Sequence, residues 1–299
     1  MNIRDLEYLV AVADLKHFRK AAERCCVSQP TLSGQLKKLE EELGVQLIER
    51  TKHKVFLTPL GEEIARQADR VLTKAAHIMD LAKTGKDPFA GPMKLGVFPT
   101  LGPYLLPYIV HPIQKEFPKL NLYLVEEQTR RILQMVKDGK LDAVILALPE
   151  LHEELEVHEL FEEPFCLAVP PKHTFAKRKK IMQTDLKGEA LLLLEDGHCL
   201  RNNALDVCAY AGAREQLGFR ASSLETLRQM VSVGTGITLI PDLAVKRDLS
   251  DPHSIRYIPF SDPVPGRKIG ILWRKSSLRK SCLVKIADII IQETRKVLS

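Results

Sequence analysis

The sequence predicts an α/β chain in two parts: a small domain rich in helix, then a larger one of alternating strand and helix. Three observations carry that prediction. Apolar residues recur at three- and four-residue steps through most of residues 1–86, the spacing of a helix face. Proline and glycine then interrupt the pattern at Lys86-Asp87-Pro88-Phe89-Ala90-Gly91-Pro92, which marks a join. Beyond residue 92, short apolar runs alternate with amphipathic segments, as parallel strands covered by helices require.

Leu6, Leu9, Val10 and Ala13 mark a first helix, Ala21 and Ala22 lie in a short second one, and Leu32, Leu36, Leu39 and Leu43 mark a third that ends at Gly44. Residues 45–58 change period. An apolar pair, a polar tip at Thr51-Lys52-His53-Lys54 and a second apolar run, Val55-Phe56-Leu57, suit a small β-hairpin or wing. From residue 59 to about residue 86, Ile64, Ala68, Val71, Ala75, Ile78 and Leu81/Ala82 form one stripe. A stripe so long, on a helix tethered to a small domain, reads as a dimer seam. The apolar runs of the second part are residues 95–97, 105–117, 122–125, 132–136, 144–146, 165–169, 191–194, 224–233, 237–240 and 269–273. The last strand, 268–273, and a helix near 283–297 follow a loop with Pro259, Pro263, Pro265 and Gly266. That order suits a chain crossing back to a first lobe. Either one large α/β domain or two lobes with a cleft fit this length.

Hydrophobic residues at 45% and charged ones at 27% exclude a disordered, collagen-like or disulfide-scaffold chain. The first residues, MNIRDLEYLVAVADLKHF, carry charges throughout. No window reaches the ~18 apolar residues of a membrane span, so a cytoplasmic protein with no membrane partner is expected. The net charge is +6, but residues 1–90 hold 15 Lys/Arg against 13 Asp/Glu, only +2; local placement must carry any argument for nucleic acid. Cysteines 25, 26, 166, 199, 208 and 282 include no CxxC pair, and a disulfide in a reducing cytosol is a regulated one. Cys166 and Cys282 read as small buried hydrophobes. His198, Cys199 and Cys208 lack the close paired spacing of a zinc site, so neither metal nor cofactor is expected. Residues 177–180, KRKK, read as a solvated loop.

Residues 18–37, FRKAAERCCVSQPTLSGQLK, outline a helix-turn-helix. A short helix meets a turn at Cys26-Val27, and Ser28 caps a second helix with Pro30 in its first turn. Ala21 and Ala22 are small where the helices cross, while Val27 and Leu32 seal the angle. Gln29, Thr31, Ser33 and Gln35 are left to face a major groove, and the helix start favours a phosphate. Lys16, Arg19, Lys37, Lys38, Arg50, Lys52 and Lys54 flank the element as backbone contacts, which position without specifying. An αα-hairpin without a DNA role fits the same spacing.

The stretch from MNIRDLEY through AAERCCVSQPTLSGQ, KLEEELGVQLIER and T-P-L-G resembles the N-terminal winged helix-turn-helix of LysR-type transcriptional regulators. The resemblance covers essentially the whole chain. It implies a DNA-binding domain over 1–58, a dimerisation linker helix over 59–90 and a regulatory domain over 91–299. The last would be two-lobed, like the type II periplasmic binding proteins, with lobe I at about 91–162 and 268–299 and lobe II at about 163–267. It further implies homodimers or homotetramers on double-stranded promoter DNA, with RNA polymerase as a partner and Ser28, Gln29, Pro30, Thr31, Ser33, Gln35, Lys37, Arg50 and Lys52 at the DNA.

Leu191-Leu192-Leu193-Leu194 reads as a buried strand, Glu195-Asp196-Gly197-His198 as a turn, and residues 199–208 as helix. Cys199 then occupies a first turn, where free N–H groups and the helix dipole favour a thiolate, with His198 and Arg201 as nearby donors or positive charges. In one unbroken helix Cys208 lies about 13 Å away, and a disulfide needs Cα atoms within about 7 Å. Bonding the two would require the segment to unwind. Two unrelated core cysteines satisfy the spacing equally.

LLLLEDGHCLRNNALDVCAYAGA resembles the redox segment of the peroxide-sensing branch of the LysR family, as do FPTLGPYLLP, GKLDAVILAL and SLETLR. That resemblance implies a peroxidatic Cys199, a resolving Cys208 and a peroxide pocket of Thr100, Thr129 and His198, with Arg267 added from the loop before the last strand. Hydroxyls and N–H groups there would stabilise a leaving hydroxide, and a sulfenic acid would condense to a disulfide. Hydrogen peroxide and a cellular thiol reductant are the partners so implied. The Cys25-Cys26 pair departs from the pattern, and helix packing explains it as well as a redox role. The expected function is a non-enzymatic, DNA-binding transcriptional regulator that senses hydrogen peroxide through a reversible Cys199–Cys208 disulfide and controls oxidative-stress genes. The alternatives are a LysR-type regulator of a small organic effector, or a thiol peroxidase.

Overall fold

The computed structural model describes residues 1–50, 55–84, 87–148, 153–246 and 254–298. The chain divides into two compact units, Met1–Lys83 and Thr84–Ser299. Among the described residues no helix is long and apolar enough to cross a membrane.

The first unit is built from α1 (Ile3–Leu15), α2 (Phe18–Arg24), α3 (Gln29–Leu43), the antiparallel strands β1 (Ile48–Arg50) and β2 (Val55–Leu57), and α4 (Pro59–Thr84). Asn2 and Asp5 close a capping box at the start of α1, satisfying donors that a helix start leaves free. Ser28 caps α3 and Gly44 ends it in the left-handed region, as expected. Leu9, Val12, Ala21, Leu32, Leu36 and Leu47 form a core without solvent access. The Thr58-Pro59-Leu60-Gly61 entry to α4 has a packing reason. Thr58 Oγ1 accepts the Gly61 N–H at 2.9 Å, and a Cβ at Gly61 would fall 2.1 Å from the Leu47 carbonyl oxygen. The helix can leave the hairpin at that angle only through glycine.

Helix α4 ends at Thr84 rather than at residue 90, where Pro88 and Gly91 already belong to the next unit. The apolar stripe has two fates. Ala65 and Ala68 are buried in the small core and Ile64 packs on it, whereas Val71 and Ile78 stay 49% and 65% exposed within one chain. The hairpin tip at 51–54, Lys86 and the side chains of Leu81 and Ala82 lie outside the described residues.

The second unit opens with β3 (Gly91–Val97), α5 (Gly102–Glu116), β4 (Leu120–Glu126), α6 (Thr129–Lys137) and β5 (Ala143–Leu148). Strand β3 pairs in parallel with β4 and β5. The long β6 (Leu155–Val169) leads to β7 (Ala190–Leu194), α7 (Cys199–Ala211), β8 (Arg214–Ala221), α8 (Leu224–Ser232), β9 (Thr238–Pro241), α9 (Asp242–Lys246), β10 (Arg256–Pro259), β11 (Gly266–Arg274) and α10 (Lys280–Leu298). The expected parallel sheets are found only in part. Strand β11 runs antiparallel to β5 and β6, and β9 and β10 run antiparallel to β6, while β7 and β8 are parallel. Strands β10 and β11 follow one another along β6, opposite residues 169–166 and then 164–155, so the chain returns antiparallel to it from one lobe to the other.

Strand β6 therefore belongs to both lobes. Its residues 155–164 pair with β11, and residues 165–169 pair with β9 and β10. The sequence reading found only its second half. Opposite Ile269 and Gly270 the register slips at Leu160, and such a bulge destroys the alternation by which a strand is read.

Val71 and Ile78 set a test. A large aliphatic stripe on a helix outside its own core needs a cover, and the cover expected from the sequence is a second copy of the same helix. Val71→Glu should give monomers that bind DNA poorly; a well-folded wild-type monomer in sedimentation at micromolar concentration would count against this.

Candidate functional site

The turn before α7 is set by its glycine. Strand β7 carries four buried leucines, the chain turns at residues 195–198, and Gly197 sits at φ +99°. A Cβ there would lie 2.8 Å from Gln128 Oε1, so glycine lets this turn pass against the start of α6. His198 is the N-cap and Cys199 the first residue of α7. Cys199 thus sits at the positive end of the helix, whose N-cap side chain makes no capping hydrogen bond.

Across from Cys199 stands Arg267, which the sequence reading assigned to a loop. It is the second residue of β11, and its side chain has no solvent access. Nη1 donates to Thr100 Oγ1 at 2.8 Å and lies 4.0 Å from Cys199 Sγ, while Nη2 donates to the Thr100 carbonyl at 2.8 Å. The Phe98 ring lies 4.9 Å from the guanidinium carbon. Nε and Nη2 both face Glu163 Oε2 at 2.7 Å. Glu163 was missed by the sequence reading. Its one signal is a glutamate pair, Glu162-Glu163, set directly before an apolar strand. Burial pushes its carboxyl upward and Arg267 pulls it back.

Thr100, Cys199 and Arg267 are thus brought together. Thr129 opens α6, next to the Gln128 that touches Gly197, and its Oγ1 is buried without a hydrogen-bond partner among the described residues. A buried hydroxyl so placed costs ~1–3 kcal/mol and invites a small polar ligand. His198 is buried; its Nε2 lies 4.0 Å from Glu195 Oε1, and the ring hydrogen-bonds the Ser222 backbone. Burial lowers its pKa, against the pull of Glu195 and the Ser222 backbone.

Arg201 corrects an expectation. Its guanidinium is spent elsewhere, bidentate on Glu215 at 2.9 Å through both oxygens, with Asp196 Oδ1 at 2.9 Å and the Leu194 carbonyl at 3.1 Å. Arg220 joins the same carboxylates. This network clamps the turn and first coil of α7 to β8. Arg267 is the cation that reaches Cys199.

Cys208 occupies the same unbroken helix, buried, with its thiol pKa raised chiefly by that burial. Nine residues at ~1.5 Å and ~100° each put the two sulfurs about 13 Å apart along the axis and on opposite faces. Cys199 is half-buried, and all six cysteines are free thiols. Cys166 and Cys282 are buried, as expected.

In the first unit the opening of α3 presents Ser28, Gln29, Pro30, Thr31 and Lys37 exposed, with Ser33 and Gln35 half-buried. Ser28 Oγ and Thr31 Oγ1 share a hydrogen bond of 2.7 Å, and Ser28 Oγ also accepts the Thr31 N–H. Two of the anticipated reading groups therefore also cap the helix. The Arg50 side chain and Lys52 lie outside the described residues.

Residues 3–62 match the model for bacterial regulatory helix-turn-helix proteins of the lysR family, and residues 86–295 match the LysR substrate binding domain. The DNA-binding transcriptional dual regulator OxyR of Escherichia coli K12 is 49% identical over 294 residues, 97% of this chain and 95% of that protein. Among solved structures, a full-length OxyR variant from Pseudomonas aeruginosa superposes with a TM-score of 0.74 at 40% identity, over 97% of this chain and 94% of that one. The oxidised form of OxyR superposes with a TM-score of 0.63 at 45% identity, over 70% and 98%.

The clamp around Arg201 has a pH signature. Hydrogen bonds from Arg201, then from Arg220, hold the Glu215 carboxyl down at about 2 against an ordinary 4.5. A depressed carboxyl stabilises the fold fully above its unfolded value and loses that contribution as pH falls through the folded one. The stability difference between wild type and Glu215→Gln should therefore be constant above pH 4.5 and shrink to nothing by about pH 2. Urea unfolding across that range measures it; a difference that stays constant down to pH 2 would remove the ion pair as its source.

Proposed function

The chain belongs to the LysR family of bacterial helix-turn-helix regulators, and from that premise we infer that it is a DNA-binding transcriptional regulator that senses hydrogen peroxide through a reversible Cys199–Cys208 disulfide. It controls oxidative-stress genes and is a regulator, not an enzyme. The observation that carries the reading is the meeting of Arg267, Thr100 and Cys199 at the start of a helix that also holds Cys208.

The chemistry follows from those groups. The thiolate is the nucleophile. Cys199 Sγ attacks one peroxide oxygen, an S–O bond forms as the O–O bond breaks, and the departing hydroxide takes a proton and leaves as water. Arg267 Nη1 is placed to donate to that oxygen, and the hydroxyls of Thr100 and Thr129, with His198, hold the peroxide. The sulfenic acid is then attacked by Cys208 Sγ. The S–O bond breaks, the S–S bond forms, and the hydroxyl departs with the Cys208 proton as a second water. Because the intact helix separates the sulfurs, α7 must unwind before the second step. A cellular thiol reductant returns both cysteines to thiols, two electrons per cycle.

On the output side, Gln29, Thr31, Ser33 and Gln35 read bases from the start of α3, helped by Ser28 and Pro30, while Lys37, Arg50 and Lys52 hold phosphates. Residues 1–58 are the DNA-binding domain and 59–90 the linker that pairs chains into homodimers or homotetramers. Lobe I (91–162 and 268–299) and lobe II (163–267) form the sensor. The protein works in the cytoplasm and passes its signal to RNA polymerase.

Replacing Gln29, Thr31 and Ser33 together should erase discrimination between operator and random DNA, at ~1–3 kcal/mol per good base contact. Lys52→Ala should weaken binding to both, with a shallower salt dependence. Operator binding at wild-type strength by the triple variant would displace α3 as the reading helix.

Cys199→Ser should abolish the peroxide response. Cys208→Ser should still form sulfenic acid at Cys199 and accumulate no disulfide. In the wild type, amides between residues 199 and 208 should change hydrogen-exchange protection on oxidation. Mass spectrometry after a brief peroxide pulse reads all three. Finding Cys199 still reduced while another thiol is consumed would refute the assignment, and a disulfide without any change in exchange would refute the unwinding alone.

A further inference from the structure

We propose that Glu163 is a positioning residue for peroxide reduction at Cys199, acting through Arg267. The inference rests on the sensor reading and adds to it a residue outside the peroxide pocket. Glu163 and Arg267 are cross-strand partners on β6 and β11, at the point where β6 passes from one lobe's sheet to the other's. Gly266 lets the strands approach there, since a Cβ on it would lie 2.7 Å from the Glu163 carbonyl oxygen. Both side chains are without solvent access.

Both carboxylate oxygens of Glu163 are occupied. Oε2 takes Nε and Nη2 of Arg267 at 2.7 Å, and Oε1 accepts the Leu243 N–H of α9 at 3.3 Å. Asp242, also on α9, is the other charge near this carboxylate. A guanidinium is a rigid planar fork. Fixing its Nε and Nη2 edge fixes the direction of Nη1, the nitrogen shared by Thr100 Oγ1 and Cys199 Sγ. Glu163 touches neither sulfur nor peroxide. Its effect reaches the reaction through the aim of Nη1 at the departing hydroxide, and a donor misplaced by a fraction of an ångström loses most of its value.

The test uses the reduced full-length protein and two reagents that differ in their need for Arg267. Both reactions start from the thiolate, but oxidation by hydrogen peroxide also needs a donor on the departing oxygen, whereas the iodide that leaves on alkylation by iodoacetamide needs none. Both are read on the tryptic segment 188–201, which carries Cys199 alone, Cys208 falling in segment 202–214. Glu163→Gln should slow oxidation about tenfold and leave alkylation within about twofold. Glu163→Asp, which keeps the charge but draws it back by one methylene, should lose about threefold in oxidation, again selectively. In an Arg267→Lys background, Glu163→Gln should change oxidation by less than about twofold, because residues acting as a unit are not additive.

Oxidation of Glu163→Gln at the wild-type rate overturns the inference. So does an equal fall in both reactions, the mark of a loosened structure, or losses at 163 and 267 that multiply. Should Glu163→Gln fail to fold, Glu163→Asp decides, and an oxidation-to-alkylation ratio equal to wild type overturns the inference. Wild-type Cys199 that peroxide does not oxidise sinks the sensor reading and takes the inference with it; a reactive wild type with unaffected Glu163 variants sinks the inference alone.

Discussion

An α-helix keeps residues nine positions apart at a fixed separation and on opposite faces, and a disulfide cannot stretch to meet it. That constraint organises the regulatory unit. Cys199 opens α7 and Cys208 lies in its buried core, so the two thiols are incompatible with a bond for as long as the helix stands. On the proposed chemistry, forming the S–S bond therefore requires α7 to unwind, against the packing that surrounds it. The burial that raises the Cys208 thiol is also what packing α7 against the lobe provides. Redox chemistry and tertiary packing compete for the same thirteen residues.

What surrounds α7 fits such a competition. The first turn is tied to β8 by Arg201, Glu215, Arg220 and Asp196, partly at the surface, where ion pairs contribute little singly and more as a network. By contrast, the Arg267–Glu163 pair is fully buried, and a buried pair persists only when its remaining hydrogen-bonding capacity is met. Thr100, Leu243 and the Phe98 ring meet it. The rigid arginine thus stands on the strands that join the lobes, and the segment that must rearrange hangs on contacts that can be exchanged. In the proposed sequence, a fixed donor beside a convertible helix lets sulfenic acid form in the folded state, and α7 unwinds before Cys208 condenses with it.

The DNA-binding unit uses the same division at smaller scale. Its core is a set of aliphatic side chains from three short helices and a hairpin, too small to leave much freedom in how α3 presents its first turn. Gly61 brings the start of α4 to contact distance of the Leu47 backbone, whose N–H donates to Glu40 Oε1 of α3 at 2.8 Å. The exposed Val71 and Ile78 extend that helix beyond the core.

Local pattern was enough for much of this. Helix boundaries at Ser28 and Gly44, the hairpin, the buried leucine strand and the placement of Cys199 at a helix start all follow from capping chemistry, periodicity and turn residues, which act over a few positions. The matched motifs implied roles for Cys199, Cys208, Thr100, Thr129, His198 and Arg267. What local pattern could not carry was anything settled by strands far apart in the chain. Strand β8 was not anticipated because Gly218 at φ +90° and the exposed Leu217 break its alternation. Arg201 looked like the cation beside Cys199 because it is two residues away, yet its side chain turns to Glu215 on a neighbouring strand. Arg267 is sixty-eight residues from Cys199, and Glu163 one hundred and four from Arg267. The two units, the helix that opens at Ser28 and the spacing of the two thiols depend on neighbours in the chain and are legible there. Which cation faces the sulfur, and what holds it there, is set by the β6–β11 register, which brings a carboxylate and a guanidinium to the same buried position.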